Sequence, residues 1–244
     1  MTKVGVLGAA GKMGSTVCEA VEFDDELELV ARVDVDESLD ELVSAGAEVA
    51  VDFTTPSSVK ENVEFCLDHG IHVVVGTTGL SDDDLKAIEA RAGGTAANAF
   101  VAPNFAIGAV LMMRFAAQAA PYFDTAEIVE RHHENKLDAP SGTALRTAAL
   151  MNDARREAWP SPAGSNETLP GSRGGDAAGV RIHSLRVRGS VAHQDVVLGS
   201  AGETLTIRHD SLDRSSFMPG VLLAVKKVTS LDGLTVGLEQ LLDL

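Results

Sequence analysis

The chain has 244 residues, 45% hydrophobic and 23% charged, which suits a globular protein with one large core or two smaller ones. A formal net charge of −16 argues against a nucleic-acid or anionic-membrane partner, because both demand a basic surface, and any anionic ligand then needs a locally positive pocket. Cys18 and Cys66 stand far apart with no CxxC or Cys/His spacing, which argues against a disulfide framework or a metal site.

No stretch reaches the ~18 apolar residues of a membrane helix, and the N-terminus shows neither a charged region before a long apolar run nor a cleavage site. A reducing cytoplasm is the expected setting. Residues 4–7 form a short apolar run ending in glycine, followed by a helical pattern through Met13, Val17, Ala20 and Val21. Residues 27–33 read as a second strand ending at Asp34, and 49–53 as a third. Ser57 is placed as the cap of a helix that runs to Asp68 and stops near Gly70. A fourth strand covers 72–75, and a fifth covers 97–102 after a helix around 83–91. Strands alternating with helices predict an α/β first domain with a Rossmann-like, doubly wound parallel sheet.

The pattern changes after Pro103. An apolar helix is expected at 107–120, a strand at 126–132, a helix at 142–158, and a Pro/Gly/Ser-rich loop at 159–179. Strands at 180–187, 191–198 and 203–209, joined by Gly-containing turns, predict a second α+β domain with a largely antiparallel sheet. A helical pattern returns at 216–228. The expected division is 1–105 plus about 215–244 for dinucleotide binding, and 106–214 for substrate binding and oligomerisation.

The stretch "VGVLGAAGKMG" sets Gly8, Gly11 and Gly14 between the first strand and the first helix. This GxxGxxG spacing is a variant of the dinucleotide fingerprint, in which glycines let the backbone approach a pyrophosphate at a helix N-terminus. Asp34 follows at the end of the second strand, where a carboxylate accepts from an adenosine ribose hydroxyl. The bland alternative is a turn that merely packs strand on helix. A carboxylate at 34 repels a ribose 2′-phosphate, and no Arg or Lys occurs between Asp34 and Glu41, so NADH is expected to be preferred and NADPH tolerated. Lys12 either reaches a phosphate or is a solvated lysine at the helix start. Two further loops after strands, Gly76-Thr77-Thr78-Gly79 and Ala102-Pro103-Asn104-Phe105, suit a nicotinamide ribose and amide.

The segment "ERHHENKLDAPSGTA" gathers His132, His133 and Lys136 ahead of a helix start. Strand alternation puts Glu130 and His132 on one face and Arg131 and His133 on the other. Ser141 is expected as N-cap, with Gly142 and Thr143 opening a helix whose first N–H groups suit a carboxylate. His133 and Lys136 add positive charge, so a small carboxylic acid is the expected substrate. A core histidine beside an exposed one is the competing reading of the pair.

This segment, together with "GAAGKMG", "GTTG", "APNFAIG" and "HDSLDRSSFMPG", resembles the dihydrodipicolinate reductase family, and the similarity runs over the whole chain. The resemblance implies reduction of 4-hydroxy-tetrahydrodipicolinate, by way of dihydrodipicolinate, in the diaminopimelate route to lysine. It makes His132 the acid/base residue, Lys136 the proton donor, and His133, Gly142 and Thr143 the substrate carboxylate contacts. It assigns the cofactor to Gly8, Ala9, Ala10, Gly11, Lys12, Met13, Asp34, Gly76, Thr77, Thr78, Ala102, Pro103, Asn104 and Phe105, and it implies a homotetramer. Arg131 departs from the pattern, where an aliphatic residue is expected. A semialdehyde-type dehydrogenase would need a thiolate, and both cysteines fall in predicted helices away from the loops. A non-catalytic NADH-binding sensor is the other alternative. Residues 159–179, with Gly171, Gly174 and Gly175, read either as a lid in which Arg173 reaches a substrate carboxylate or as a connector.

Overall fold

Short β-branched runs with both faces covered build the first sheet. In chain order its unit contains β1 (Thr2–Leu7), α1 (Lys12–Glu22), β2 (Leu27–Val33), α2 (Asp40–Ser44), β3 (Val49–Asp52), α3 (Val59–Asp68), β4 (His72–Val75), α4 (Asp82–Ala92) and β5 (Ala99–Val101). Strands β3 and β5 are buried along their whole length, as a parallel sheet flanked by helices requires. Leu7, Leu42, Leu67 and Ile88 belong to the apolar cluster on one side of it. The computed structural model describes residues 1–160 and 166–242. The chain divides into two units, Met1–Ile107 with Arg214–Leu244, and Gly108–Asp213.

The next elements are α5 (Ile107–Ala119), β6 (Thr125–His132), α6 (Gly142–Ala154), β7 (Gly175–Ala177), β8 (Val180–Arg186), β9 (Ala192–Ser200) and β10 (Glu203–Ser211). Strand order in this second sheet is β10-β9-β6-β8-β7. Three of its four pairings are antiparallel, and β6 runs parallel to β8. The connection from β8 to β9 therefore passes over β6 rather than forming a hairpin.

The chain then returns to the first unit through α7 (Met218–Lys227) and β11 (Leu234–Val236). The first sheet is wholly parallel, with order β11-β5-β4-β3-β1-β2. The Asn98 amide holds the returning segment by donating to the carbonyls of Val228 and Leu231 at 3.0 and 2.8 Å.

Several expectations need correction. Ser58, not Ser57, precedes α3, and its side chain makes no capping bond because its hydroxyl is engaged with Thr54 and Thr55. Helix α6 ends at Ala154 rather than 158. Arg155 turns extended there, donates to the carbonyls of Ala120 and Phe123 at 2.9 and 2.5 Å, and lays its guanidinium 3.9 Å from the Trp159 ring centroid. The expected loop 159–179 contains β7; its residues 161–165 lie outside the described residues. Helix α2 and strand β11 were not anticipated. Each is too short to show a periodicity of its own.

Burial pushes the His72 imidazole below its ordinary 6.5 against the pull of Glu48, and its Nδ1 accepts from the Asn98 N–H at 3.0 Å. Burial also lowers His209 in the second unit. A depressed folded pKa means that this stability is complete above pH 6.5 and is lost as pH falls toward the folded values. The thermal midpoint should fall between about pH 7 and about pH 5. His72→Asn keeps an acceptor without a titrating ring and should flatten that fall. An unchanged pH slope in the variant would remove His72 from the explanation.

Candidate functional site

In the first unit, four loops leave the carboxyl ends of β1, β3, β4 and β5, the edge where doubly wound sheets hold ligands. Gly8 sits at φ +76, and its N–H donates to Val33 at 2.8 Å. A Cβ at Gly14 would lie 2.0 Å from the Gly8 carbonyl, so only glycine permits this packing of loop against helix. Gly11 is the N-cap of α1 and offers no side-chain capping bond. The first turn of an 11-residue helix is thus left without a side-chain acceptor, as an anion-binding terminus requires.

Ala9 is buried, Ala10, Gly11 and Lys12 are exposed, and Met13 is half-buried. Asp34 reaches this loop directly. Its carboxylate accepts from the Val35 N–H at 2.8 Å and the Ala10 N–H at 2.7 Å, and these two donors hold its pKa below the usual carboxylate range. The Asp34 N–H in turn donates to Glu37 at 2.7 Å. These residues could hold a dinucleotide: a glycine cradle, an open helix start and an ionised acid stand together, and no cation is paired with Asp34 among the described residues.

After β4, Gly76 is half-buried, Thr77 is buried and Thr78 is exposed. The Thr77 hydroxyl donates to Asp52 at 2.6 Å. After β5, Ala102 and Phe105 are buried, Pro103 is exposed, and the half-buried Asn104 accepts from the Ala106 N–H at 2.9 Å. The structure therefore brings every residue expected for the cofactor to one edge of one sheet.

In the second unit the centre is Glu130, fully buried on β6. Arg186 on β8 donates to both of its carboxylate oxygens, at 2.9 and 3.0 Å, and the Ser141 N–H donates at 3.2 Å. His132 Nδ1 lies 2.5 Å from Glu130 Oε2. Burial raises the Glu130 carboxyl, but hydrogen bonds from Arg186, Ser184 and His132 outweigh it and leave the pKa below the ordinary range. An ionised carboxylate only accepts, so His132 Nδ1 carries the proton and Nε2 presents the lone pair. Burial pushes His132 below 6.5; Glu130 pulls it up, while Lys136 and Arg186 add to the lowering.

Arg186 also fixes the following loop, donating to the carbonyls of Lys136 at 3.2 Å and Asp138 at 2.5 Å. Lys136 Nζ pairs with Asp138 at 2.8 Å. His133 and Gly142 are exposed and Thr143 is half-buried. Ser141 caps α6 by accepting from the Ala144 N–H at 3.2 Å. The Thr143 carbonyl accepts from Thr147, which accepts from the buried Gln194 on β9 at 2.8 Å.

Arg186 escaped the sequence reading because nothing marks one arginine at a strand end. Glu130 was placed on the His132 face by alternation, but its pairing was not foreseen. Arg173 forms an ion pair with the protein's own Glu127, which also meets His183 at 2.8 Å. Arg131 has a buried Nε without a hydrogen-bond partner, and nothing in the structure explains the residue. Both cysteines are buried, and burial pushes the Cys66 thiol up to about 12 and raises Cys18, so neither supplies a thiolate nucleophile. Among the described residues, no group of three or more His, Cys, Asp or Glu could hold a metal ion, and no helix is long and apolar enough to cross a membrane.

Residues 2–105 match the family described as dihydrodipicolinate reductase, N-terminus, and residues 108–242 match its C-terminal counterpart. A 4-hydroxy-tetrahydrodipicolinate reductase from Mycolicibacterium vanbaalenii is 54% identical over 243 residues, covering 99% of both chains. One from Corynebacterium aurimucosum is 55% identical over 248 residues, again covering 99% of both. A solved, dipicolinate-bound dihydrodipicolinate reductase from a Paenisporosarcina species has a TM-score of 0.88 at 39% identity, covering 99% of this chain and 100% of that one. The chain belongs to the dihydrodipicolinate reductase family of pyridine-nucleotide-dependent oxidoreductases.

Proposed function

We propose that this chain reduces 4-hydroxy-tetrahydrodipicolinate, by way of dihydrodipicolinate, to tetrahydrodipicolinate in the diaminopimelate route to lysine. The observation that carries the reading is the Glu130–His132–Arg186 cluster, which fixes an imidazole and a lysine-bearing loop beside the start of α6. End-to-end similarity to named reductases supports it, as does a related structure that holds a ring dicarboxylate.

Gly8, Ala9, Ala10, Gly11, Lys12, Met13, Asp34, Gly76, Thr77, Thr78, Ala102, Pro103, Asn104 and Phe105 hold the dinucleotide in the first unit. Bound NADH or NADPH supplies the hydride. The ionised Asp34 repels a 2′-phosphate and favours NADH, while NADPH is tolerated through Lys12. In the second unit, Gly142 and Thr143 at the start of α6, with His133, Lys136 and the Ser141 hydroxyl, hold the carboxylates. Lys136 is the proton donor, and His132 acts as acid/base residue through Nε2, its ring held by Glu130. Assembly as a homotetramer through the second unit and a cytoplasmic setting complete the reading.

The direct test is oxidation of NADH and NADPH by purified protein, with substrate generated fresh from pyruvate and aspartate semialdehyde. Lys136→Ala should lower kcat by about 10²-fold or more, the scale of a general-acid contribution, while NADH affinity stays unchanged. Tight NADH binding with no turnover in the wild type would instead favour a non-catalytic sensor.

A second outcome follows from the lowered His132 pKa. The ring is neutral above pH 6.5, so kcat/KM should decline only as the pH falls below that value and the imidazolium forms. Glu130→Gln removes a group that raises this pKa and should move the acidic limb to still lower pH. A limb that stays in place would separate Glu130 from the titration of His132.

A further inference from the structure

At the carboxyl end of β3 lies a second buried acid that no cofactor contact accounts for. The Asp52 side chain is fully buried. Its Oδ1 accepts from the Thr54 N–H at 3.0 Å, the Thr54 hydroxyl at 2.8 Å and the Thr77 hydroxyl at 2.6 Å. Its Oδ2 accepts from the Asn62 amide of α3 at 2.8 Å. Its backbone carbonyl accepts from the N–H groups of Gly76 and Thr77 at 2.9 and 3.3 Å. Among the described residues no Lys, Arg or His forms an ion pair with it, so neutral donors from the loops after β3 and β4 and from α3 satisfy it.

The neighbouring Phe53 extends the junction to the other two loops. A Cβ at Gly8 would lie 2.5 Å from the Phe53 carbonyl, and a Cβ at Gly76 would lie 2.2 Å from its ring. The Phe53 and Phe105 ring centroids are 6.0 Å apart. All four loops of the first unit therefore meet on residues 52–54.

We infer that Asp52 is a positioning residue for the dinucleotide site, holding the loops after β1, β3, β4 and β5 in one arrangement. The inference rests on reading those loops as the cofactor site. A buried carboxylate is tolerated only while its donors are in place. If the loop after β4 opens, the acid loses its shortest donor, the Thr77 hydroxyl, and keeps only those of Thr54 and Asn62, so the closed arrangement is favoured before any ligand binds. Asp52 itself is fully buried beneath the residues it organises.

The experiment uses full-length protein, NADH titration followed by fluorescence, and steady-state kinetics. Asn62→Leu removes one donor at a position behind the loops, and Asn62→Asp sets two carboxylates face to face. Each should raise the NADH dissociation constant and the KM for NADH about tenfold, the scale of one hydrogen bond to a charged group, with the KM for the dicarboxylate unchanged. Adding Asp52→Asn to Asn62→Asp restores one carboxylate and one amide and should recover NADH affinity. Variants with lower thermal midpoints but wild-type NADH affinity would overturn the inference, leaving a structural role only. Wild-type protein that binds no NADH would overturn the dinucleotide reading itself, and the inference with it.

Discussion

Glu130 places a carboxylate where no water reaches it, and such a charge persists only when opposite charge and hydrogen bonds meet it there. The second unit is arranged around that demand. Arg186 answers from β8 with two parallel N–H bonds, Ser141 from the N-cap of α6, and His132 from two positions along the same strand. Because β6 and β8 run parallel, His132 and Arg186 stand at the same level of the sheet. The guanidinium then has donors left for the carbonyls of Lys136 and Asp138. One buried acid thus fixes an imidazole rotamer, the path of a loop and the start of a helix. Removing either partner of such a pair strands the other, so the arrangement is held more firmly than any one of its contacts would hold it.

The first unit solves a related problem without a cation. Asp52 is as buried as Glu130, yet its donors are hydroxyls, an amide and a backbone N–H. The Glu130–Arg186 pair is therefore neutral overall, whereas Asp52 is held by dipoles alone. Buried acids near strand ends serve as anchors in both units, one answered by an opposite charge and the other by a shell of neutral donors.

Much of the fold was legible because its signals are local. β2 and β4 coincide with their apolar runs, and the burial of β5 and of Val49, Ala50 and Val51 in β3 follows from uninterrupted hydrophobic residues. Glu130 and His132 fall on one face because strand alternation has a period of two. What escaped depends on contacts between distant residues. Arg186 is 56 residues from Glu130, and Asp52 is 25 residues from Thr77. Strand β7 exists because β8 offers it an edge, and β11 because β5 does. The early end of α6 is set by Arg155 reaching carbonyls more than 30 residues upstream. The parallel β6–β8 pairing was hidden for the same reason, since three consecutive strands with Gly turns look like a simple meander.

The overall charge of −16 sharpens the electrostatic question at the second unit. Exposed acids more than a Debye length away, about 8 Å at physiological ionic strength, are largely screened and do little to a bound anion. Charges within contact distance are not screened in this way. In the segment leading into α6 these are Lys136 and the helix N-terminus on one side, and Glu130, Asp138 and Glu134 on the other. Glu130 is matched by Arg186, Asp138 by Lys136, and Glu134 by Arg188 at 2.6 Å. If the helix start takes a carboxylate, as proposed, that group would compete with Asp138 for Lys136, and Asp138, 59% exposed in its side chain, would be readily solvated on release. On the proposed reading of this site, the exposed acid would hold the ammonium until the substrate arrives, and the exchange would replace a solvated carboxylate with one held by several donors at once.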